Sequence, residues 1–163
     1  MKKIFLALSA ACALFQMNAE EPLLEVIFAD PTTFYNPKAA ENVTTFKHKK
    51  VFFSKRYPMS AISVEEYDGK SAVLVTVRAA RDNSQPAMLG VVCQVYNRST
   101  KKMLSGGMAV KRVSEDFTDL QFKVYPGKLL PGTKEFRLLF YTVGKKGKIY
   151  LESIKVIPFS SGK

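Results

Sequence analysis

Apolar and polar residues alternate with a period of two along most of the chain. Gly, Pro, Asn and Asp gather between the alternating runs. Such alternation marks half-buried strands. An amphipathic helix would repeat every three to four residues, and no segment of convincing length does so. The stretch LLEVIF at 23–28 reads as a short apolar strand stopped by Asp30-Pro31. Residues 29–45 read as a long irregular connection, because Pro31 and Pro37 cannot sit in a central strand. FKHKKVFF at 46–53 follows as one strand with a basic first half. Residues 58–67 alternate up to Asp68-Gly69, a pair suited to a hairpin turn. AVLVTVRAA at 72–80 is rich in valine and predicts a strand buried on at least one face.

The second half continues the pattern. In AMLGVVCQVYN at 87–97, Leu89, Val91, Cys93 and Val95 share one face. Gly90 interrupts that run and marks a bulge or a close approach. Residues 98–102 form a polar turn, and Ser105-Gly106-Gly107 interrupts the return before a short strand at 108–113. In FTDLQFKVY at 117–125, Leu120, Phe122 and Val124 face one way, while Gln121, Lys123 and Tyr125 face the other. Pro126-Gly127 and Pro131-Gly132 bracket a loop. EFRLLFYTV at 135–143 and KIYLESIKVI at 148–157 form the last two strands, joined by Gly144-Lys145-Lys146-Gly147 and ended by Pro158. About nine short strands with no helical crossover predict an all-β fold, an antiparallel β-sandwich or barrel.

The 163 residues suit one domain. At 47% hydrophobic and 24% charged, the chain is not a disordered tail. Lys2 and Lys3, the apolar run of residues 4–15 and the small exit residue Ala19 have the layout of a secretory signal peptide. The expected organisation is therefore a leader at 1–19 cleaved near Ala19, a single β-sandwich domain at 20–158 and a C-terminal tail at 159–163. The expected destination is the periplasm or the medium. The run is too short to span a bilayer, which takes about 20 apolar residues. Lipid attachment at Cys12 is the alternative, but Ser9 stands where that processing site usually has Leu. Removing residues 1–19 takes away Lys2, Lys3 and no acid, leaving 23 basic and 14 acidic side chains, a formal charge of +9. Cys93 is then the lone cysteine, so packing rather than a disulfide must stabilise the domain. No later apolar run approaches membrane length, and no integral membrane segment is expected after cleavage.

The stretch FTDLQFKVY, the Pro/Gly loop after it and EFRLLFYTVGKKGKIYLESIKV at 135–156 resemble the carbohydrate-binding-module group of galactose-binding-like jelly rolls. The hairpin pattern of PMSAISVEEYDGKSAVLVTVRAA fits the early part of such modules. The resemblance spans roughly residues 46–157 and is one of strand pattern. It implies a jelly-roll sandwich and non-catalytic binding of a glycan. Many such modules hold a structural calcium through the first acid of a pair in the last strand. Here the pair reads Glu152-Ser153, which keeps one carboxylate, and the chain has no Trp to stack on sugar rings. No metal or other cofactor is expected.

Tyrosines beside polar residues are the first candidates for chemistry, because a sugar ring stacks on an aromatic face while neighbours take its hydroxyls. Tyr96, Gln121, Tyr125, Arg137 and Tyr141 fall on the more polar faces of three strands and could form one surface if those strands pair. The competing reading is that these tyrosines are half-buried strand residues. Lys47, Lys49 and Lys50 form a basic run that could attract a polyanion; alternatively it keeps an exposed strand soluble. The plausible polyanion for an exported protein is an acidic glycan or envelope polymer, and nucleic acid is not expected. A structural or protein-interaction domain of the envelope, with no sugar site, is the second reading. Catalysis is not expected. The single histidine, His48, lies in a lysine run, Cys93 lies on an apolar face, and Glu65-Glu66 would point to opposite faces of one strand. No phosphate loop, CxxC or HExxH occurs.

Overall fold

The computed structural model describes residues 21–27, 43–54, 61–65, 67, 71–82, 85–97, 102–127, 136–143 and 147–159. The leader at 1–19, the Asp68-Gly69 turn, residues 98–101 of the turn expected at 98–102 and residues 144–146 of the loop expected at 144–147 lie outside them, while Lys102 already belongs to a strand. Ten strands and no helix occur among the described residues: β1 (Leu24–Ile27), β2 (Val43–Phe46), β3 (Lys49–Ser54), β4 (Ala61–Val64), β5 (Ala72–Arg81), β6 (Ala87–Asn97), β7 (Lys102–Val113), β8 (Thr118–Val124), β9 (Phe136–Val143) and β10 (Ile149–Phe159).

They form two antiparallel sheets, and the expected β-sandwich of jelly-roll type is what the chain adopts. Sheet A runs β2-β3-β10-β5-β8, with β1 also paired to β10; sheet B runs β4-β9-β6-β7. From β4 onward the chain crosses from one sheet to the other at almost every connection, and only β6 and β7 follow one another within a sheet. The N-terminal half of β10 pairs with β3 through residues 149–151, then with β1 through residues 153–156. A register shift against β5 falls between Leu151 and Ser153, at the same handover, and leaves Glu152 as the extra residue. Such a bulge re-aims a side chain.

The inner faces follow the alternation. Val73, Val75, Val77 and Ala79 of β5, Phe122 and Val124 of β8, and Ile149, Leu151, Ile154 and Val156 of β10 bury one face of sheet A. Leu89, Val91, Cys93 and Val95 of β6 meet them, with Phe136, Leu138 and Phe140 of β9. Tyr67 packs edge-on to Phe136 at 5.1 Å, and its hydroxyl donates to the Ser71 carbonyl. Cys93 is fully buried as expected, and burial pushes its thiol up to about 12, so it stays protonated and inert at neutral pH.

Three expectations need correction. Residues 46–53 are not one strand: β2 begins at Val43, within what read as an irregular connection, and ends at Phe46, where Lys47-His48 turn the chain into β3. Both turn residues are left-handed, with φ of 49° and 63°. That is the pattern of a two-residue hairpin, which normally takes Asn-Gly there, so the sequence carries no turn signal. β7 passes unbroken through Ser105-Gly106-Gly107, because a Cβ on Gly107 would stand 2.8 Å from the Tyr125 carbonyl oxygen and glycine lets the two strands approach. Finally, β10 continues through Pro158 to Phe159. Pairing with β1 stops at Val156, so one side of β10 is open where proline lacks its N–H.

Candidate functional site

The two outer faces of the sandwich differ in chemistry. On sheet A, strand register lines up Ser153, Arg78 and Asp119 in one row, and Lys155, Thr76 and Gln121 in the next. Arg78 donates through Nε to Glu152 at 3.0 Å and through a terminal nitrogen to Asp119 at 3.2 Å. The hydrogen bond to Asp119 is the largest of the contacts that raise the Arg78 pKa. Lys49 pairs with the other Glu152 oxygen, and Lys155 pairs with Glu25 at 3.2 Å. This face is a ladder of ion pairs that satisfy one another. Glu152 therefore does not fit the calcium role that the resemblance implies: one cation sits on each carboxylate oxygen, and the groups around it repel a second positive charge.

Sheet B presents the opposite character. Because Leu89, Val91 and Cys93 point inward, the alternate residues of β6 point out. Register sets them in rows with β9 and β7: Val143, Met88 and Arg112; Tyr141, Gly90 and Val110; Leu139, Val92 and Met108; then Arg137 and Gln94. Met88, Met108 and Val110 are exposed, Met108 to 65%. The ring of Tyr141 lies across Gly90: a Cβ there would stand 2.2 Å from the ring's Cζ. Its hydroxyl reaches over β6 and donates to the Met108 sulfur on β7. Glycine at this position lets an aromatic ring lie on the sheet instead of standing away from it. These rows contain no acidic residue, and an arginine stands at each end. Arg137 and Tyr141, four residues apart on one strand, are separated by about 13 Å.

The structure divides the five residues expected to share a surface. Arg137 and Tyr141 do share one, the outer face of sheet B. Tyr96 belongs to β6 of the same sheet, past a register shift at Val95, and its side chain lies outside the described residues. Gln121 is on the far side of the molecule, on the ion-paired face of sheet A, because the chain crosses between sheets from β7 to β8. Tyr125 follows β8 at the rim where Gly107 of β7 approaches, and is 49% exposed. Gly90, whose expected close approach is to the Tyr141 ring, lies on this surface, together with Met88, Met108 and Val110, which sequence reasoning passed over. Their signal was apolar residues on the outward parity of strands already apolar inward.

The basic run is likewise not a free cationic strip. Lys47 donates to the Glu115 carbonyl at 2.9 Å and to Asp116 at 2.7 Å, while Lys49 is committed to Glu152 and lies 5.2 Å from the Phe117 ring centre. Lys50, on the opposite parity, is exposed. These contacts fold the β2–β3 tip over the outer face of sheet A. There Phe46 stacks on Tyr150 at 4.0 Å and meets Phe117 edge-on at 6.1 Å. Val51 and Ala80 are fully buried although they are not part of the core between the sheets.

The Lys47 hydrogen bond, and then its charge, hold the Asp116 carboxyl below its ordinary value. A carboxylate depressed by folding contributes stability above its unfolded pKa and loses it as pH falls through the lowered value. The tip contact should therefore persist from neutral pH down into the ordinary carboxylate range and release only below it. Amide shifts of Lys47 and Asp116 in an acid titration measure this. An Asp116 that titrates at or above the ordinary value contradicts it.

The fold is similar to the jelly-roll sandwiches of solved carbohydrate-binding modules. It is similar to the CBM22-1 xylan-binding domain of Paenibacillus barcinonensis Xyn10C, with a TM-score of 0.56 and 13% identity over 88% of this chain and 98% of that one. It is also similar to the Clostridium thermocellum endo-1,4-β-D-xylanase 10B CBM22-1–GH10 modules complexed with xylohexaose, with a TM-score of 0.54 and 9% identity over 86% of this chain and 29% of that one. No protein-family model and no curated protein matches the sequence. At such identities the likeness is one of fold, and function must be argued from the site.

Proposed function

We propose that the protein is an exported, non-catalytic glycan-binding module that uses the outer face of sheet B and prefers acidic glycans. The observation that carries this reading is the Tyr141 ring laid across Gly90, on a face with an arginine at each end and no acid between. A pyranose buries its C–H face on the ring, as flat apolar groups favour. Gln94 and Arg137 offer hydrogen bonds about 13 Å along the strand, a spacing that suits a chain rather than one ring. Arg137 and Arg112 would bond carboxylates on an acidic sugar, and charge-assisted bonds are the stronger kind. The fold supports the reading, since the similar domain named above binds xylan. Export follows from the leader pattern of residues 1–19.

Polygalacturonate and xylohexaose in parallel titrations test this. Polygalacturonate should bind more tightly, with an affinity that falls as salt rises, and Arg137→Ala should weaken it about tenfold. Retention of neither glycan, or binding that Tyr141→Ala leaves intact, would sink the proposal. A second reading is a protein-interaction face, favoured by the exposed thioethers of Met88 and Met108, since flexible methionines adapt to varied partners. It gains if no glycan binds and the protein self-associates through this face.

A further inference from the structure

A cleft of about 240 Å³ opens on the other side of the molecule, beneath the β2–β3 tip. Phe46, Lys47, Arg81, Asp82 and Glu115 line it. Its floor is rigid. Arg81 donates to Glu115 at 2.8 Å and to the Asp82 carbonyl at 2.9 Å, and its own amide donates to the Ser114 carbonyl. The Asp82 amide is held by the Lys148 carbonyl. The Phe46 ring is fixed by Tyr150 and Phe117, and the Lys47 ammonium is tethered at the rim by Asp116.

We propose that this cleft is a second binding site, separate from the sheet B face, for a single neutral sugar ring. The proposal shares only its ligand class with the function proposed above. Two cations and two carboxylates line the cleft, so its charge balances. A polyanion or a free metal ion would meet both signs and gain little. A sugar hydroxyl both donates and accepts, so it can bridge a carboxylate such as Glu115 and an ammonium such as Lys47. Phe46 supplies an apolar wall for the ring's C–H groups. The volume lies below the roughly 300–1,000 Å³ of sites for larger ligands, which limits the guest to one ring. The lip of the cleft is also where the backbone is strained: Lys47 and His48 are both left-handed. Non-glycine residues rarely adopt that region, and such strain concentrates at functional sites.

The one-ring guest could be a free monosaccharide or the end of a chain. Titration of the ¹⁵N-labelled protein with xylose, galactose and xylohexaose separates these sources. Shifts at Phe46, Lys47, Arg81, Asp82 and Glu115 should saturate with a monosaccharide. If xylohexaose produces the same shifts the guest is a chain end; if it does not, the guest is the free sugar. Glu115→Ala and Lys47→Met, both at exposed positions, should each weaken the effect about tenfold, whereas Tyr141→Ala should leave it unchanged. Circular dichroism confirms that each variant is folded. The proposal is overturned if none of the three sugars moves these amides, or if the shifts persist undiminished in both cleft variants. Loss of sheet B binding in Tyr141→Ala with the cleft shifts intact separates failure at one site from failure at the other.

Discussion

Gly90→Val is expected to lower glycan affinity about tenfold or more while leaving the sandwich folded. The reason is steric. Even the first added carbon would stand 2.2 Å from Cζ and 2.7 Å from the hydroxyl oxygen of Tyr141. The obstacle is the far end of a side chain, so the ring can swing off the sheet and the backbone need not move. Valine also favours a strand more than glycine does, which offsets the lost contact between ring and glycine. The platform is therefore removed without removing the fold. Ring resonances of Tyr141 would report the displacement, and titration with polygalacturonate would report the affinity. Displacement of the ring with unaltered affinity would show that the ligand does not use Tyr141, and would shift attention to the methionines on the same face. Gly90→Ala should act in the same direction with a smaller effect.

Much of this fold is legible in the alternation of the chain, and the exceptions have physical causes. Parity placed Cys93, Phe122 and Val124 inward because a pleated strand sends successive side chains to opposite faces. Parity says nothing about which sheet a strand joins. Gln121 has the outward parity of Tyr141, yet the crossing from β7 to β8 carries it to the far side of the molecule. Pairing across a jelly roll joins residues distant in sequence, as when β10 lies between β5 and β3. Lys47-His48 escaped notice for a different reason. Residues that normally avoid positive φ make the turn, and contacts such as Lys47 to Asp116, 69 positions away, hold it there. The site was half legible. Arg137 and Tyr141 were identifiable as polar and aromatic side chains on one strand face, but the role of Gly90 depends on its cross-strand partner, Tyr141.

Neighbouring residues on β8 offer the sharpest test of the register. Phe122→Ala is expected to destabilise the protein by about 3–5 kcal/mol, lowering the melting temperature by roughly 10 °C. Phe122 is 1% exposed, lies opposite Val75 and faces the core between the sheets. β8 is the last strand of sheet A, so little beside it can move in to fill the space the ring leaves. Lys123, the next residue, points outward, and its ammonium lies 3.9 Å from the centre of the Phe159 ring. An exposed cation–π contact is worth about 0.5–1 kcal/mol, so Lys123→Ala should cost no more than that. Phe122→Leu, which keeps most of the apolar volume, should cost less than about 1.5 kcal/mol. The ratio between the two alanine variants is the discriminating quantity, because a slip of one residue along β8 would exchange the two faces. Comparable losses for Phe122→Ala and Lys123→Ala in thermal and denaturant melts would contradict the pairing of Val75 with Phe122. With it would fall the placement of Gln121 on the ion-paired face.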